Sequence, residues 1–263
     1  MPFQIVVCAS IVPDPLQTLE PVAGPALKNE SLLPAVLDPW AAHALFEAAN
    51  LASQNAGSKV WLASLAPKAK LQQVMMMMAQ KAPFELIAVD GSASGFTDSF
   101  ETAAALAAAI AAIPGLERDR LLLFGGWESA SRGAGSTLQM IGERLGITEQ
   151  FQGVDRITVH SDGAFEVLER VEGGRHLVSI CAAPPAVLGW ATGYLPEPRN
   201  NPQLGMANMR TILPALQRAK PAGITGPCFA SVSLPKQQRE TRIVKDMPAA
   251  EIAREIIAWI GEE

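Results

Sequence analysis

The feature that most constrains the fold is a regular alternation of short apolar runs and Ala- or Leu-rich segments in the first half of the 263-residue chain. Four runs of bulky, mostly aliphatic residues, at 4–8, 60–64, 86–89 and 121–124, predict buried strands. Segments of helical composition lie between them. Such an alternation predicts an α/β fold, with a mainly parallel sheet and helices on both faces.

Boundary residues place a helix after each of these strands. Asp38 followed by Pro39 is typical of a helix start, with Asp as the N-cap and Pro at the first helical position. Pro67 opens a second helix, and Pro114 stops a third one, which is rich in alanine. The predicted helices are residues 40–54, 67–80, 100–113 and 137–145.

Four consecutive methionines, Met75 to Met78, lie in the second predicted helix. We expect two of them to be buried and two partly buried, in a flexible apolar packing layer. A methionine-based metal site is the alternative, but no second cluster of soft ligands accompanies the run.

After residue 145 the alternation gives way to consecutive strands. Three strand-like runs, residues 156–160, 165–170 and 176–181, are separated by short turns that contain glycine. They predict an antiparallel hairpin region. Residues 186–190 add one further strand.

The C-terminal part of the sequence carries few core signals. We expect a short helix at residues 206–216 and an extended arm at residues 220–245, which contains three prolines. In the last helix, residues 248–260, the isoleucines fall near one face. Because a soluble protein rarely leaves such a face bare, we expect the arm and this helix to pack on a second subunit.

Composition excludes several classes of protein. The net charge is −5, whereas a non-specific nucleic-acid binder normally has a basic excess. No apolar stretch is long enough for a transmembrane helix, and the N-terminus lacks the basic region of a secretory signal. Three scattered cysteines and three isolated histidines argue against disulfides and a metal site, so we expect a cytoplasmic protein.

The strongest local signal for a binding site is the glycine-rich loop at residues 125–137, between a predicted strand and a predicted helix. Glycines allow a close approach of the backbone to a phosphate, and the helix N-terminus supplies free N–H groups. The loop matches neither a P-loop nor the G-x-G-x-x-G fingerprint. A phosphate or nucleotide cradle and a plain flexible loop both remain open on this pattern.

We expect no catalytic residues. The sequence has no G-x-S-x-G elbow, and its three histidines fall in a predicted helix or at predicted strand ends. Acidic pairs such as Glu262 with Glu263 are predicted to lie on solvated surfaces.

A series of modest motifs along the whole chain follows one recognisable order. The motifs are VPDP at 12–15, LDPW at 37–40, Gly125 with Thr137-x-Gln139-Met140, EGG at 172–174, PAV at 185–187 and EPR at 197–199. In this order and spacing the chain resembles the beta subunit of electron transfer flavoprotein, in a divergent bacterial branch.

This resemblance implies an αβ heterodimer with a Rossmann-like fold that carries electrons from a partner flavin dehydrogenase to a membrane-linked or other acceptor. The redox FAD would be held mainly by the alpha subunit, and the beta subunit would bury AMP or, in bifurcating members, a second FAD. It also implies a nucleotide-binding domain at 1–190, a recognition-loop segment at 191–219 and a partner-packing arm at 220–263. The alternative is an AMP or ATP sensor of α/β fold without redox activity.

The resemblance also implies site residues. Trp40 would approach the flavin ring, Leu204 would be the apolar anchor of the recognition loop, and Arg170 would be a second docking position. The implied nucleotide contacts are Cys8, Asp38, Pro39, Trp40, Ala41, Leu65, Gly125, Arg132, Gly133, Ala134, Gly135, Ser136 and Thr137.

Several positions depart from the family pattern. The loop at 131–137 lacks the family's Asp and Gln residues, and Asp38 replaces an Asn. Arg170 stands where the family has a carboxylate, and the segment 206–216 has Arg210 as its single basic residue. These departures predict an electron donor other than the usual acyl-CoA type.

Overall fold

The computed structural model describes residues 2–24, 26–92, 96–223, 231–233, 236 and 243–261. The chain divides into two units, Met1–Val232 and Ser233–Glu263, and each is described by itself. The first unit holds the α/β fold, and the described residues of the second contain one helix.

Within these described ranges the strands form one large and one small sheet. The strands of the large sheet are β1 (Gln4–Cys8), β4 (Lys59–Ala66), β5 (Glu85–Asp90), β6 (Leu121–Gly126), β7 (Glu149–Val159), β8 (Phe165–Val171), β9 (Arg175–Cys181), β10 (Ala186–Trp190) and β11 (Lys220–Pro221). The small antiparallel sheet consists of β2 (Ile11–Pro13) and β3 (Ala35–Leu37).

Helices connect most of the parallel strands. They are α1 (Pro39–Gln54), α2 (Lys68–Met78), α3 (Ser99–Ala111), α4 (Ser136–Arg144), α5 (Pro202–Arg218) and, in the second unit, α6 (Ala249–Gly261). Short 3-10 turns lie at Glu30–Leu32, Arg118–Arg120 and Glu172–Gly174.

The large sheet has the strand order β11-β5-β4-β1-β6-β10-β7-β8-β9. All neighbours from β11 to β7 are parallel, and the pairs β7–β8 and β8–β9 are antiparallel. The predicted α/β class, the parallel sheet that joins the first four predicted strands, the antiparallel hairpin region and the C-terminal helix are therefore confirmed.

Each face of the sheet supports its own apolar core because side chains alternate along a strand. On β1, Ile5 and Val7 belong to the cluster that includes buried residues of α1, α2 and α5. Val6 and Cys8 belong to the cluster that includes buried residues of α3 and α4. The helices thus cover both faces, as the sequence predicts.

Three local predictions need correction. The β2–β3 sheet lies in a segment that was predicted to be a loop. The prediction missed it because strands of three residues are too short to show an alternation of apolar and polar residues. Helix α5 is longer than the predicted 206–216, because Asn201 caps it and Pro202 occupies its first turn. Met75 and Met78 are buried as expected, but Met76 and Met77 are exposed rather than partly buried.

The predicted arm at 220–245 lies largely outside the described residues. Its first two residues form β11, which pairs with β5 at the edge of the sheet. Helix α6 confirms the predicted last helix, and its isoleucines Ile252, Ile256, Ile257 and Ile260 are exposed. The division of the chain at residues 190 and 219 stays a prediction, as does the packing of the arm on a partner.

The methionine run offers a matched test of the packing. Met75→Ala should lower the free energy of unfolding by about 2–5 kcal/mol, because the Met75 side chain is fully buried. Met76→Ala should change it by less than about 0.5 kcal/mol, since Met76 is exposed. Chemical denaturation of both variants measures this difference, and equal losses of stability would contradict the assigned helix face.

Candidate functional site

A cleft of about 310 Å³ opens where β1, β4 and β6 end, with Cys8, Leu65 and Gly126 among its lining residues. Strand β1 lies between β4 and β6, so the chain leaves β1 toward one side of the sheet and later returns on the other. Such a switch point, outside the carboxyl ends of parallel strands, is where open α/β sheets bind ligands. The volume is at the low end of the range for small-molecule sites.

Four helices contribute N-terminal residues to this cleft. In α2, which contributes Lys70, the first N–H group, on Lys68, donates to Oδ1 of Asp90 at 3.2 Å. The N-termini of the other three helices differ in one respect. Asp38 caps α1 by accepting from the Trp40 N–H at 3.1 Å. Asp98 caps α3 by accepting from the N–H groups of Phe100 and Glu101 at 3.0 and 3.1 Å. Helix α4 begins after Gly135, with no side-chain cap. Its first N–H groups are therefore the ones best placed to meet an anionic ligand.

The loop before α4 depends on glycine at specific points. A Cβ atom on Gly135 would lie 1.5 Å from the carbonyl oxygen of Trp127, so no larger residue fits without moving the loop. A Cβ atom on Gly126 would lie 2.6 Å from Cβ of Trp40. Gly133 has a φ of +61°, which glycine adopts without strain.

The charged residues around the cleft nearly balance. Lys70 and Arg132 contribute positive charge, while Glu30, Asp38 and Glu128 contribute negative charge. Side-chain charge by itself therefore gives little attraction for an anion. Attraction for an anion therefore has to come from oriented backbone N–H groups, such as those at the start of α4, which no side chain caps.

Arg132 connects the loop to the start of α3. Its Nη1 donates to the carbonyl oxygen of Thr97 at 3.2 Å and to Oγ of Ser99 at 3.4 Å. The guanidinium therefore closes one side of the cleft instead of projecting away from the protein.

Asp38 is 1% exposed and connects α1 to the same loop. Its Oδ2 accepts from the Ala130 N–H at 2.8 Å. Burial raises the pKa of Asp38, and the hydrogen bonds from the N–H groups of Ala130 and Trp40 offset part of that rise.

Cys8 lies among the cleft-lining residues and is also buried. Burial raises the pKa of its thiol to about 12, so the thiol stays protonated at neutral pH. Its chemical contribution to the cleft is that of a small apolar side chain.

The structure brings together most of the residues that the family resemblance implies for the nucleotide. Those that line the cleft are Cys8, Asp38, Ala41, Leu65, Arg132, Ala134, Gly135 and Thr137. The other implied residues do not line it: Pro39, Trp40, Gly125, Gly133 and Ser136. Each of these five residues is adjacent in the sequence to a residue that lines the cleft. Contact with a nucleotide stays a prediction for all of them.

Besides Lys70 in the first turn of α2, sequence reasoning missed two parts of the lining. One is an apolar wall from β2 and the segment after it, which includes Ile11, Leu19 and Leu27. The other is the start of α3, with Thr97 and Ser99. The second was accessible from the sequence, because α3 follows the carboxyl end of β5. The first was not, because β2 has no readable pattern.

The implied docking residue Leu204 lies in the first turn of α5 and not in a loop. It is partly buried, and its N–H donates to Oδ1 of Asn201 at 3.2 Å. Helix α5 is fixed by the buried Asn208, whose Nδ2 donates at 2.8 Å to the carbonyl oxygens of Ala79 and Ala82 beyond the end of α2.

Arg170 is already bound within the chain. Its Nε and Nη2 donate to the two carboxylate oxygens of Asp155 at 3.0 and 2.8 Å, and Nη2 also donates to Oγ1 of Thr192. His176 Nε2 lies 2.9 Å from the same carboxylate, which is 5% exposed. This network joins the hairpin region to the segment after β10.

In the described ranges, no group of three or more His, Cys, Asp and Glu side chains is arranged to hold a metal ion. None of the helices described is long and apolar enough to span a membrane.

Comparison with known proteins places the chain in a family. The family model described as the electron transfer flavoprotein domain matches residues 29–218, which is 190 of the 263 residues and runs from before β3 to the end of α5. No curated protein sequence matches the chain. Members of the family are generally associated with flavin and generally work as heterodimers with electron-donor dehydrogenases. The chain belongs to the electron transfer flavoprotein family.

Proposed function

We propose that this chain is the beta subunit of a heterodimeric electron transfer flavoprotein. It would carry electrons from a partner dehydrogenase to a membrane-linked or other acceptor, through an FAD held mainly by the alpha subunit. The observation that carries the proposal is the cleft at the switch point, which offers the uncapped N-terminus of α4 to an anion within a chain of this family. The cytoplasm is the proposed location.

The ligand proposed for the cleft is AMP. A volume of about 310 Å³ is at the low end for small-molecule sites, which favours a mononucleotide over a second FAD. The N–H groups at the start of α4 and the side chain of Arg132 would hold the phosphate. The apolar wall that includes Leu19 and Leu27 would face the less polar part of the nucleotide.

The flavin, when bound, supplies the reversible uptake and release of electrons. Trp40 is the residue of this chain proposed to face it. Trp40 is partly buried in the first turn of α1, and its backbone N–H is held by Asp38. Its contribution would be to position and shield the flavin ring and not to exchange protons, because an indole has no titratable group in the physiological range.

The start of α5 is proposed to dock the electron-donor dehydrogenase. Leu204 is the proposed anchor, and Met206 beside it is exposed. This helix has two basic residues, Arg210 and Arg218, and Arg218 lies in its last turn. A surface of this composition suits a donor whose contact patch is apolar and weakly charged. Arg170 is the second proposed docking position, and its guanidinium is partly exposed beside Asp155.

Co-purification tests the proposal. The chain should be co-expressed with the alpha subunit, and the flavin and adenine nucleotide released by acid should be counted per complex. A yellow 1:1 complex with one FAD and one AMP is the expected result. A colourless monomer with bound nucleotide would instead indicate the sensor without redox activity. Two FAD molecules per complex would indicate that the cleft binds FAD and not AMP.

Gly135→Ala should weaken retention of AMP by about tenfold or more, since the new Cβ displaces the loop and with it the N–H donors of α4. The control is Gly115→Ala, because Gly115 lies outside the cleft lining and its φ of +71° disfavours alanine, whereas Gly135 has a φ of −123° and is limited by the clash with Trp127. The control variant should lose backbone stability without releasing nucleotide. Full AMP occupancy in purified Gly135→Ala would show that the phosphate lies elsewhere.

Leu204→Ala should slow reduction of the complex by its cognate dehydrogenase by about tenfold at low donor concentration, through the loss of one buried leucine contact. Bound flavin should stay at the wild-type level. Leu213→Ala is the matched control, because Leu213 is an exposed leucine further along the same helix. Stopped-flow absorbance of the flavin measures both rates, and equal rates for the two variants would move the docking site away from Leu204.

A further inference from the structure

The carboxylate of Asp38 is hydrogen-bonded within the protein, mainly to backbone N–H groups and also to the side chain of Ser10. Its Oδ1 accepts from the Trp40 N–H at 3.1 Å, and its Oδ2 accepts from the Ala130 N–H at 2.8 Å. The side chain is 1% exposed. Both oxygens thus already accept hydrogen bonds from the protein, although the residue lines the cleft.

We infer that Asp38 is a positioning residue for the nucleotide site, which anchors the β6–α4 loop to α1 so that the N-terminus of α4 faces the ligand. The inference rests on the proposed function. It assigns Asp38 a role distinct from the direct nucleotide contact that the family resemblance implies for this position.

The β6–α4 loop is bonded to the rest of the protein at three points, and Asp38 supplies the one in its middle. The Trp127 N–H donates to the carbonyl oxygen of Trp190 at 3.0 Å, next to the sheet. Arg132 ties the far end to Thr97 at the start of α3. Asp38 holds the middle of the loop, at Ala130, and so bridges residues 92 positions apart in the sequence.

A carboxylate suits this bridge better than an amide does. Both oxygens of an ionised Asp accept hydrogen bonds, whereas Asn presents one acceptor and one NH₂ donor. With Asn at this position, one oxygen could cap α1, but the NH₂ group would face the Ala130 N–H as donor against donor. Hydrogen bonds from backbone N–H groups to a carboxylate are also stronger than those to a neutral oxygen.

Two effects of removing the charge have opposite signs. If the charge of Asp38 acts on the ligand directly, Asp38→Asn removes a repulsion and AMP should bind more tightly. If Asp38 anchors the loop, the same substitution releases Ala130 and AMP should bind more weakly. The direction of the change in AMP affinity therefore distinguishes charge repulsion from anchoring, and the affinity for adenosine distinguishes anchoring from a direct bond to the nucleoside.

Asp98 provides the matched control. It also caps a helix that begins at the cleft, and its Oδ1 accepts from the N–H groups of Phe100 and Glu101 within that same helix. Asn is as good an N-cap as Asp, so Asp98→Asn keeps the capping role and removes one charge near the cleft.

The experiment compares wild type, Asp38→Asn and Asp98→Asn in complex with the alpha subunit, after removal of nucleotide. Hydrogen exchange of the segment 128–132 and the affinities for AMP and adenosine are measured. We expect Asp38→Asn to exchange faster in this segment and to bind AMP about tenfold more weakly, with adenosine affinity unchanged. Asp98→Asn should match the wild type in exchange.

Unchanged exchange in Asp38→Asn, or AMP binding as tight as in wild type, would overturn the inference. If Asp38→Asn does not fold, Asp38→Ser replaces it, because serine caps α1 with a single oxygen and cannot also reach Ala130. A wild-type complex that binds neither AMP nor adenosine would refute the proposed function, while the exchange measurement would still decide whether Asp38 anchors the loop.

Discussion

The structure depends on the central position of β1 between β4 and β6. The pairings Val7 with Leu62 and with Phe124 bury this strand on both edges, and its alternating side chains belong to both apolar cores. The strands β4 and β5 lie on one side of β1, and β6 lies on the other. The loops that follow β1 and β6 therefore separate and leave a cleft. The same pairing that stabilises the sheet thus also creates the place for a ligand.

In that cleft, backbone N–H groups attract the anion, and side chains hold the loop that presents them. The nearly balanced charges around it leave the N–H groups of α4 as the main source of attraction for a phosphate. Asp38 and Asp98 cap α1 and α3, Asp90 accepts from the first N–H group of α2, and Asp38 also accepts from the N–H group of Ala130. A buried carboxylate beside an anion site is costly by itself, but here its hydrogen bonds shape the loop that binds the anion.

Most of the fold was readable from the sequence, because the strands of the parallel sheet are continuous apolar runs and their helices carry strong boundary residues such as Asp38 and Pro39. The site was readable only near its glycine-rich loop. The bond between Asp38 and Ala130 joins distant residues and follows from strand order, which local patterns do not encode. The apolar wall near Leu19 was missed because the three-residue strand β2 has no readable pattern, and the bonding of Arg170 to Asp155 depends on strand register.

A crystal structure of the heterodimer with its nucleotide tests the central claim most directly. We predict phosphate oxygens within about 3 Å of the backbone nitrogens at residues 136–138, with the carboxylate of Asp38 still bound to Ala130. A phosphate bound away from the N-terminus of α4, or held by side chains while these N–H groups face solvent, would contradict it.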